Sequence, residues 1–255
     1  MIRKANLTIA HNEKIAKSTF LMHLLSEEST LDIQPGQFIH IKIGQDHTHM
    51  LRRPISIADV DHSNQIIKII FKTVGEGTGY LSKQKTGDKI DALLPCGSSY
   101  PIDKLTMKHA LLIGGGIGVP PLYYLAKQLV NRGVSVTSIL GFQTASQVFF
   151  EEEFQALGKV YIATNDGSYG YSGFVTDIYQ AIQPSFDYYF SCGPTPMLKG
   201  VTKELEDKPG YISLEERMGC GVGACFACVL PSRDGGYKKI CQHGPVFDAN
   251  EVILA

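Results

Sequence analysis

The chain has 255 residues, with 24 lysines and arginines against 25 aspartates and glutamates, a formal net charge of −1. At roughly 150 residues per domain that length makes one large domain or two modest ones, and 44% hydrophobic against 19% charged residues exclude a disordered chain. There is no basic excess of the kind a nucleic-acid binder shows, no run near the roughly 18 apolar residues of a membrane helix, and no secretory signal at the start. A cytoplasmic protein with neither nucleic acid nor membrane as partner is expected.

Residues 4–10, 19–25, 37–42, 65–72 and 89–94 are alternating or β-rich runs, separated by turn signals such as Gln34-Pro35-Gly36-Gln37 and Thr86-Gly87-Asp88. Short strands at this pitch, with one helical turn near 79–83, predict a closed antiparallel β-barrel or a sandwich over residues 1–101. The pattern then changes. Strands at 109–113, 134–140, 160–163, 188–190 and 211–214 alternate with helices at 121–131, 147–157, 174–182 and 196–205. That alternation predicts a doubly wound α/β domain over 102–214, a parallel sheet with helices on both faces. Residues 215–255 hold four of the six cysteines and too little apolar content for an independent core. They read as a small lobe organised by a cofactor, because ligation supplies folding free energy that burial cannot.

The four cysteines are spaced Cys220-x4-Cys225-x2-Cys228-x12-Cys241, with small residues between the first three. Four soft ligands suit either structural zinc or an iron–sulfur centre. Zinc sites usually present two C-x2-C pairs, whereas this order is that of plant-type [2Fe–2S] ferredoxins, which favours iron–sulfur. Cys96 stands apart and reads as a buried thiol. Gly114-Gly115-Gly116-Ile117-Gly118 joins a predicted strand to a predicted helix, where glycines let a phosphate approach the backbone; a ligand-free tight turn is the alternative. Gly75-x-Gly77-Thr78 follows another strand and fits a second pyrophosphate or a plain hairpin. Arg52-Arg53-Pro54-Ile55-Ser56 offers a guanidinium for phosphate and a hydroxyl for a ring or ribose. Cys192-Gly193-Pro194 ends a strand at the carboxyl edge of the sheet, where open α/β folds bind ligands; Cys192 is either a nicotinamide contact or a packed thiol. The eight histidines, His40, His47, His49 and His243 among them, are scattered and read as surface or internally satisfied side chains.

Taken in order, Arg53-x-x-Ser56, Gly75-x-Gly77-Thr78, the 114–118 glycines, Cys192-Gly193-Pro194-x-x-Met197 and the four cysteines resemble the ferredoxin–NADP reductase superfamily. With the cysteine lobe added, the whole length is similar to the electron-transfer subunits of class 1B, NAD-dependent dihydroorotate dehydrogenases. The resemblance implies FAD on Arg53, Pro54, Ile55, Ser56, Gly75, Gly77 and Thr78. It implies NAD(H) on Gly114, Gly116, Gly118, Cys192 and Gly193, and a [2Fe–2S] cluster on Cys220, Cys225, Cys228 and Cys241. It further implies an FMN-containing dihydroorotate dehydrogenase catalytic subunit as partner in a heterotetramer, two of each, with no catalytic residue for dihydroorotate in this chain. Many superfamily members place an aromatic residue over the flavin where Ile55 stands, so aliphatic packing from Ile55 is expected instead, with Ile57 and Tyr80 nearby. The wider family often ends in an aromatic cap, absent from Val252-Ile253-Leu254-Ala255, and the cysteine lobe is expected on that side. The loop at 141–146 lacks an arginine for a 2′-phosphate, which favours NAD(H) over NADP(H). A flavin and iron–sulfur subunit serving a hydrogenase or a ferredoxin:NAD(P) oxidoreductase is the competing enzyme, and a zinc-stabilised binding protein the competing class.

Overall fold

The computed structural model describes residues 2–27, 32–44 and 49–254; His47 lies outside them. Six strands, β1 (Arg3–Ala16), β2 (Thr19–Leu25), β3 (Phe38–Ile41), β4 (Arg53–Asp61), β5 (Ile66–Lys72) and β6 (Lys89–Cys96), close a barrel in the order β1-β2-β5-β4-β3-β6. Period-2 alternation builds it: Ile67, Ile69 and Phe71 of β5 fill the barrel, while Ile70 points outward into a second core. β4 is the strand the sequence pattern did not isolate. A register shift between Ile57 and Asp59 moves its inward set from Ile55 and Ile57 to Val60, so strict alternation is lost. A short helix, α1 (Glu76–Leu81), follows β5 and begins earlier than the turn expected at 79–83, taking Gly77 and Thr78 into the helix.

The second unit contains β7 (His109–Gly115), α2 (Val119–Asn131), β8 (Ser135–Phe142), α3 (Glu151–Gln155), β9 (Gly158–Thr164), β10 (Tyr171–Ser172), α4 (Val175–Ile182), β11 (Tyr188–Cys192), α5 (Thr195–Glu204) and β12 (Gly210–Ser213). The sheet runs β10-β9-β8-β7-β11-β12, all parallel. Neighbours along β7 face opposite cores. Leu111 and Ile113 pack with Val175 and Ile178 of α4 and Leu198 and Val201 of α5, whereas Ala110 and Leu112 pack with Leu122 and Leu125 of α2 and Phe154 of α3. Helices therefore cover both faces, as the alternation predicted. α3 is shorter than the expected 147–157 because Phe150 adopts a left-handed conformation at its start (φ 63°).

The remaining elements are β13 (Val229–Pro231), β14 (Tyr237–Lys239), α6 (Ile240–His243) and β15 (Val246–Asp248). β15 adds antiparallel to β12, pairing Ile212 with Phe247, and completes a seven-stranded sheet. Met218, Cys228, Leu230, Ile240 and Cys241 enter the α4/α5 core together with Phe38 and Cys96 of the barrel. The cysteine segment thus buries its apolar residues in a shared core. The barrel and α2 are joined as directly: Tyr124 packs in the barrel core and donates its hydroxyl to the Ile33 carbonyl at 2.8 Å. Asp59 of β4, itself buried, pairs with Lys127 of α2 at 2.7 Å and with Lys68 of β5 at 3.1 Å.

Candidate functional site

A cleft of about 720 Å³ opens where the three parts meet. One wall is the start of β4, Arg53 through Ser56, with the end of β5 and Thr78; the other holds Ile117 of the glycine turn and Leu214 through Met218. The two adjacent arginines have separate tasks that their spacing does not distinguish. Arg52 forms an ion pair with Asp91 at 2.6 Å and donates to the Asp91 and His40 carbonyls. Arg53 meets no carboxylate among the described residues; it donates to the Leu51 carbonyl at 2.6 Å and lies across α1. A Cβ on Gly77 would come within 2.7 Å of its Nε, so only glycine allows the guanidinium to rest there. That leaves a positive charge at a helix start, facing a cleft, where a diphosphate fits. The Thr78 hydroxyl is already engaged: it accepts from the N–H of Val74 at 3.0 Å and donates to the Gly75 carbonyl. Ile55 packs in the barrel core as Ile57 does but also borders the cleft, and Tyr80 is not part of the cleft wall, so the expected packing is reduced to the edge of Ile55.

The glycine turn and the Cys192-Gly193-Pro194 segment lie side by side because β7 and β11 are paired, Gly114 opposite Cys192. A Cβ on Gly118 would collide with the Cys192 carbonyl, and one on Gly193 would lie 3.1 Å from the Gly115 nitrogen. Gly116 has φ +52° with open space around it, an unobstructed approach to the backbone at the head of α2. Gly114 is tight against Leu122 and Val119 and serves packing. Cys192 is fully buried, so its side chain does not reach the cleft. Burial pushes its thiol well up, and the neighbouring Glu215 charge adds to this.

The cysteine loop is arranged in two pairs. The N–H groups of Cys225 and Val222 point at Cys220 Sγ, at 3.3 and 3.5 Å, and the Gly223 N–H points at Cys241 Sγ at 3.2 Å. The thiols of Cys220 and Cys225 interact with each other, as do those of Cys228 and Cys241. Among the described residues no three such side chains converge on a single ion. Two thiol pairs with backbone N–H groups aimed at sulfur match a centre with two metal atoms better than a lone tetrahedral zinc. Burial disfavours the Cys220 thiolate, but the N–H groups of Cys225 and Val222 outweigh it and bring the thiol down to about 6. Cys241 is pushed up to about 12 by burial and by Cys228 beside it. Cys220 and Cys225 are half-buried, Cys228 and Cys241 buried. Around the loop, Phe226 is 73% exposed under the Lys239 ammonium, 4.2 Å from the ring centroid, and Val222 is also exposed. Cys96, buried and donating to the Leu93 carbonyl, takes no part.

Two side chains of consequence lie outside the motifs. Glu215 is exposed on the cleft wall, yet the protein crowded around it desolvates its carboxyl enough to push it up. Its only sequence signal was nearness to the cysteines. His40, expected at the surface or internally satisfied, is instead fully buried, and neither ring nitrogen makes a well-formed hydrogen bond among the described residues.

Comparison with known proteins agrees with this layout. Residues 6–100 match the family model for the oxidoreductase FAD-binding domain, and residues 215–253 that for the iron–sulfur cluster binding domain of dihydroorotate dehydrogenase B. The chain is 49% identical to the dihydroorotate dehydrogenase B (NAD(+)) electron transfer subunit of Geobacillus thermodenitrificans, with full coverage of both. It is also 49% identical to that of Bacillus pumilus, again over the whole of both chains. Among solved structures, a chain of an NADH-dependent reduced ferredoxin–NADP oxidoreductase superposes with a TM-score of 0.87 at 30% identity, covering 97% of this chain and 90% of that one. The cytochrome b5 reductase domain of Ulva prolifera nitrate reductase, at 20% identity and a TM-score of 0.66 over 80% of this chain and 93% of that one, shares the fold.

Proposed function

Because the chain belongs to the family of dihydroorotate dehydrogenase B (NAD(+)) electron transfer subunits, we propose that it carries electrons from dihydroorotate oxidation, performed on an FMN-containing catalytic subunit, to NAD+. A [2Fe–2S] cluster and FAD mediate the passage, and the complex holds two copies of each subunit in the cytoplasm. No described helix is long and apolar enough to cross a membrane. FAD, when bound, supplies the exchange between two-electron hydride chemistry at nicotinamide and one-electron chemistry at an iron–sulfur centre.

The observation that carries this reading is the continuity of the sites. The cleft wall formed by Leu214 through Met218 runs directly into Cys220, and the opposite wall is the arginine strand β4. In our reading Arg53 holds the flavin diphosphate over Gly77, with Gly75 and Thr78 shaping the turn. Pro54, Ile55 and Ser56 border the flavin ring. Gly116 presents backbone to the NAD(H) diphosphate, Gly114 and Gly118 allow the turn to close, and Cys192 with Gly193 acts through backbone at the nicotinamide side. Cys220, Cys225, Cys228 and Cys241 hold the cluster. The chain divides into residues 1–101, 102–214 and 215–255, the last tied to the second through β15. The half-buried Cys220 and Cys225, ringed by Phe226 and Val222, form the face that receives the catalytic subunit.

The test is anaerobic purification of the chain with whatever binds it, followed by dihydroorotate and NAD+. NADH that forms only when an FMN-containing partner is present is the expected result. A complex with FAD and iron–sulfur intact that yields NADH from reduced ferredoxin or hydrogen, and none from dihydroorotate, overturns the donor assignment.

A further inference from the structure

His40 is a buried polar side chain that neither the flavin nor the nicotinamide site accounts for. It sits on β3 opposite Pro54 of β4 and Leu93 of β6, in the middle of the barrel wall that carries the arginine strand. Its relative exposure is 0%, and neither Nδ1 nor Nε2 has a hydrogen-bond partner among the described residues. The carbonyls of Arg52 and Cys220 approach the ring without forming a well-made bond. On the far side of the ring is the first cluster-ligand turn. A Cβ on Gly221 would lie 2.6 Å from His40 Cε1 and closer still to Nδ1, and Gly221 has φ +70°, so this turn accepts only glycine against the imidazole.

A neutral imidazole carries one N–H donor and one acceptor nitrogen, and buried groups of this kind are normally paired. An apolar residue would fill the same space without that cost, so the ring's position calls for a partner. The nearest acceptor on the cluster side is the Cys220 backbone carbonyl, and the groups that hold a ligand's backbone in place are one of the means by which a protein tunes a centre. We infer that His40 is a positioning residue for the iron–sulfur centre: it seats the Cys220–Gly221 turn on β3, beside the arginine strand, and donates an imidazole N–H to the Cys220 carbonyl so that this ligand's backbone is held in place. This rests on the [2Fe–2S] reading above. It would also give the barrel a polar connection to the cluster loop that holds the distance between the two cofactor sites.

The experiment uses the full chain, purified anaerobically with FAD and cluster, as wild type, His40→Phe and His40→Asn. Phenylalanine fills the space without a donor; asparagine keeps a donor on the Nδ1 side. In His40→Phe, FAD per chain is expected to match wild type, the cluster midpoint potential to move to more negative values, and the EPR g-values of the reduced centre to change. Air should bleach its cluster several-fold faster. His40→Asn should recover most of the potential and the EPR signature. An unchanged potential and spectrum in His40→Phe overturns the inference, and so does an equal shift in both variants, which would mean packing alone. If His40→Phe does not fold, wild type labelled with ¹⁵N-histidine decides. A hyperfine coupling between the reduced centre and nitrogen, lost in His40→Asn and kept in His243→Asn, is expected; its absence overturns the proposal. Wild type that lacks iron and acid-labile sulfide overturns the [2Fe–2S] reading itself, which is a separate result.

Discussion

Arg52 and Arg53 are identical in the string and opposite in use. Arg52 is neutralised by Asp91 and its donors are consumed by carbonyls, whereas Arg53 rests on Gly77 with its charge toward the cleft. Loss of a charged hydrogen bond of about 1.5–3 kcal/mol corresponds to roughly a 10- to 150-fold weaker complex. Arg53→Ala should therefore release FAD during gel filtration while circular dichroism and iron content stay at wild-type levels; Arg52→Ala should instead lower stability. Glu215 offers a second check at this scale. Its carboxyl is held above its ordinary value by burial, so the folded chain binds a proton that the unfolded chain releases first. The associated stability is complete below the ordinary glutamate range and is lost as pH rises through the raised value. Glu215→Gln cannot ionise, so its melting temperature should fall less than that of wild type as pH rises above about 4.5, both measured without cofactors. Parallel melting curves across that range would contradict the placement.

At the scale of elements, the barrel and α2 behave as one unit because Asp59 is buried between two lysines and Tyr124 enters the barrel. Removing one partner of a buried charge leaves it under-compensated. Lys127→Ala, with Lys68 still in place, should cost about 1–3 kcal/mol in denaturant unfolding and should raise KM for NAD+, since α2 carries the glycine turn. A stability loss with unchanged KM would confine this pair to packing. The same contacts explain why β4 was not legible. Ile55 and Ile57 enter the barrel, then the register shifts and Asp59 turns to lysines on two other elements. A pattern search along the chain registers that as the end of alternation.

For the whole molecule, the cysteine segment lacks a core of its own and borrows one. β15 pairs with β12, and Met218, Cys228, Ile240 and Cys241 pack with Phe38 of the barrel and Leu198 of α5. The loop is thereby placed at the cleft, with Phe226 and Val222 facing outward. Phe226→Glu puts a charge into that apolar face. It should weaken association with the catalytic subunit at least 10-fold by sedimentation or titration calorimetry while FAD and iron content remain intact. Unchanged association would move the partner face elsewhere.

What belongs to local chemistry was readable along the chain. Strand and helix periods report which side of an element is apolar, and cysteine and glycine spacings mark where a ligand set or a phosphate turn is to be expected; each depends on residues a few positions apart. Which arginine is free, whether Cys192 shows its sulfur or only its backbone, and what His40 faces were decided by the tertiary structure. The partners in those cases lie from 24 residues away (Arg53 to Gly77) to 181 (His40 to Gly221), and only closure of the barrel, the β7–β11 pairing and the return of β15 bring such distances to contact. Spacing in sequence carries no information about which groups a fold presses together, because burial and pairing are set by the whole packed chain.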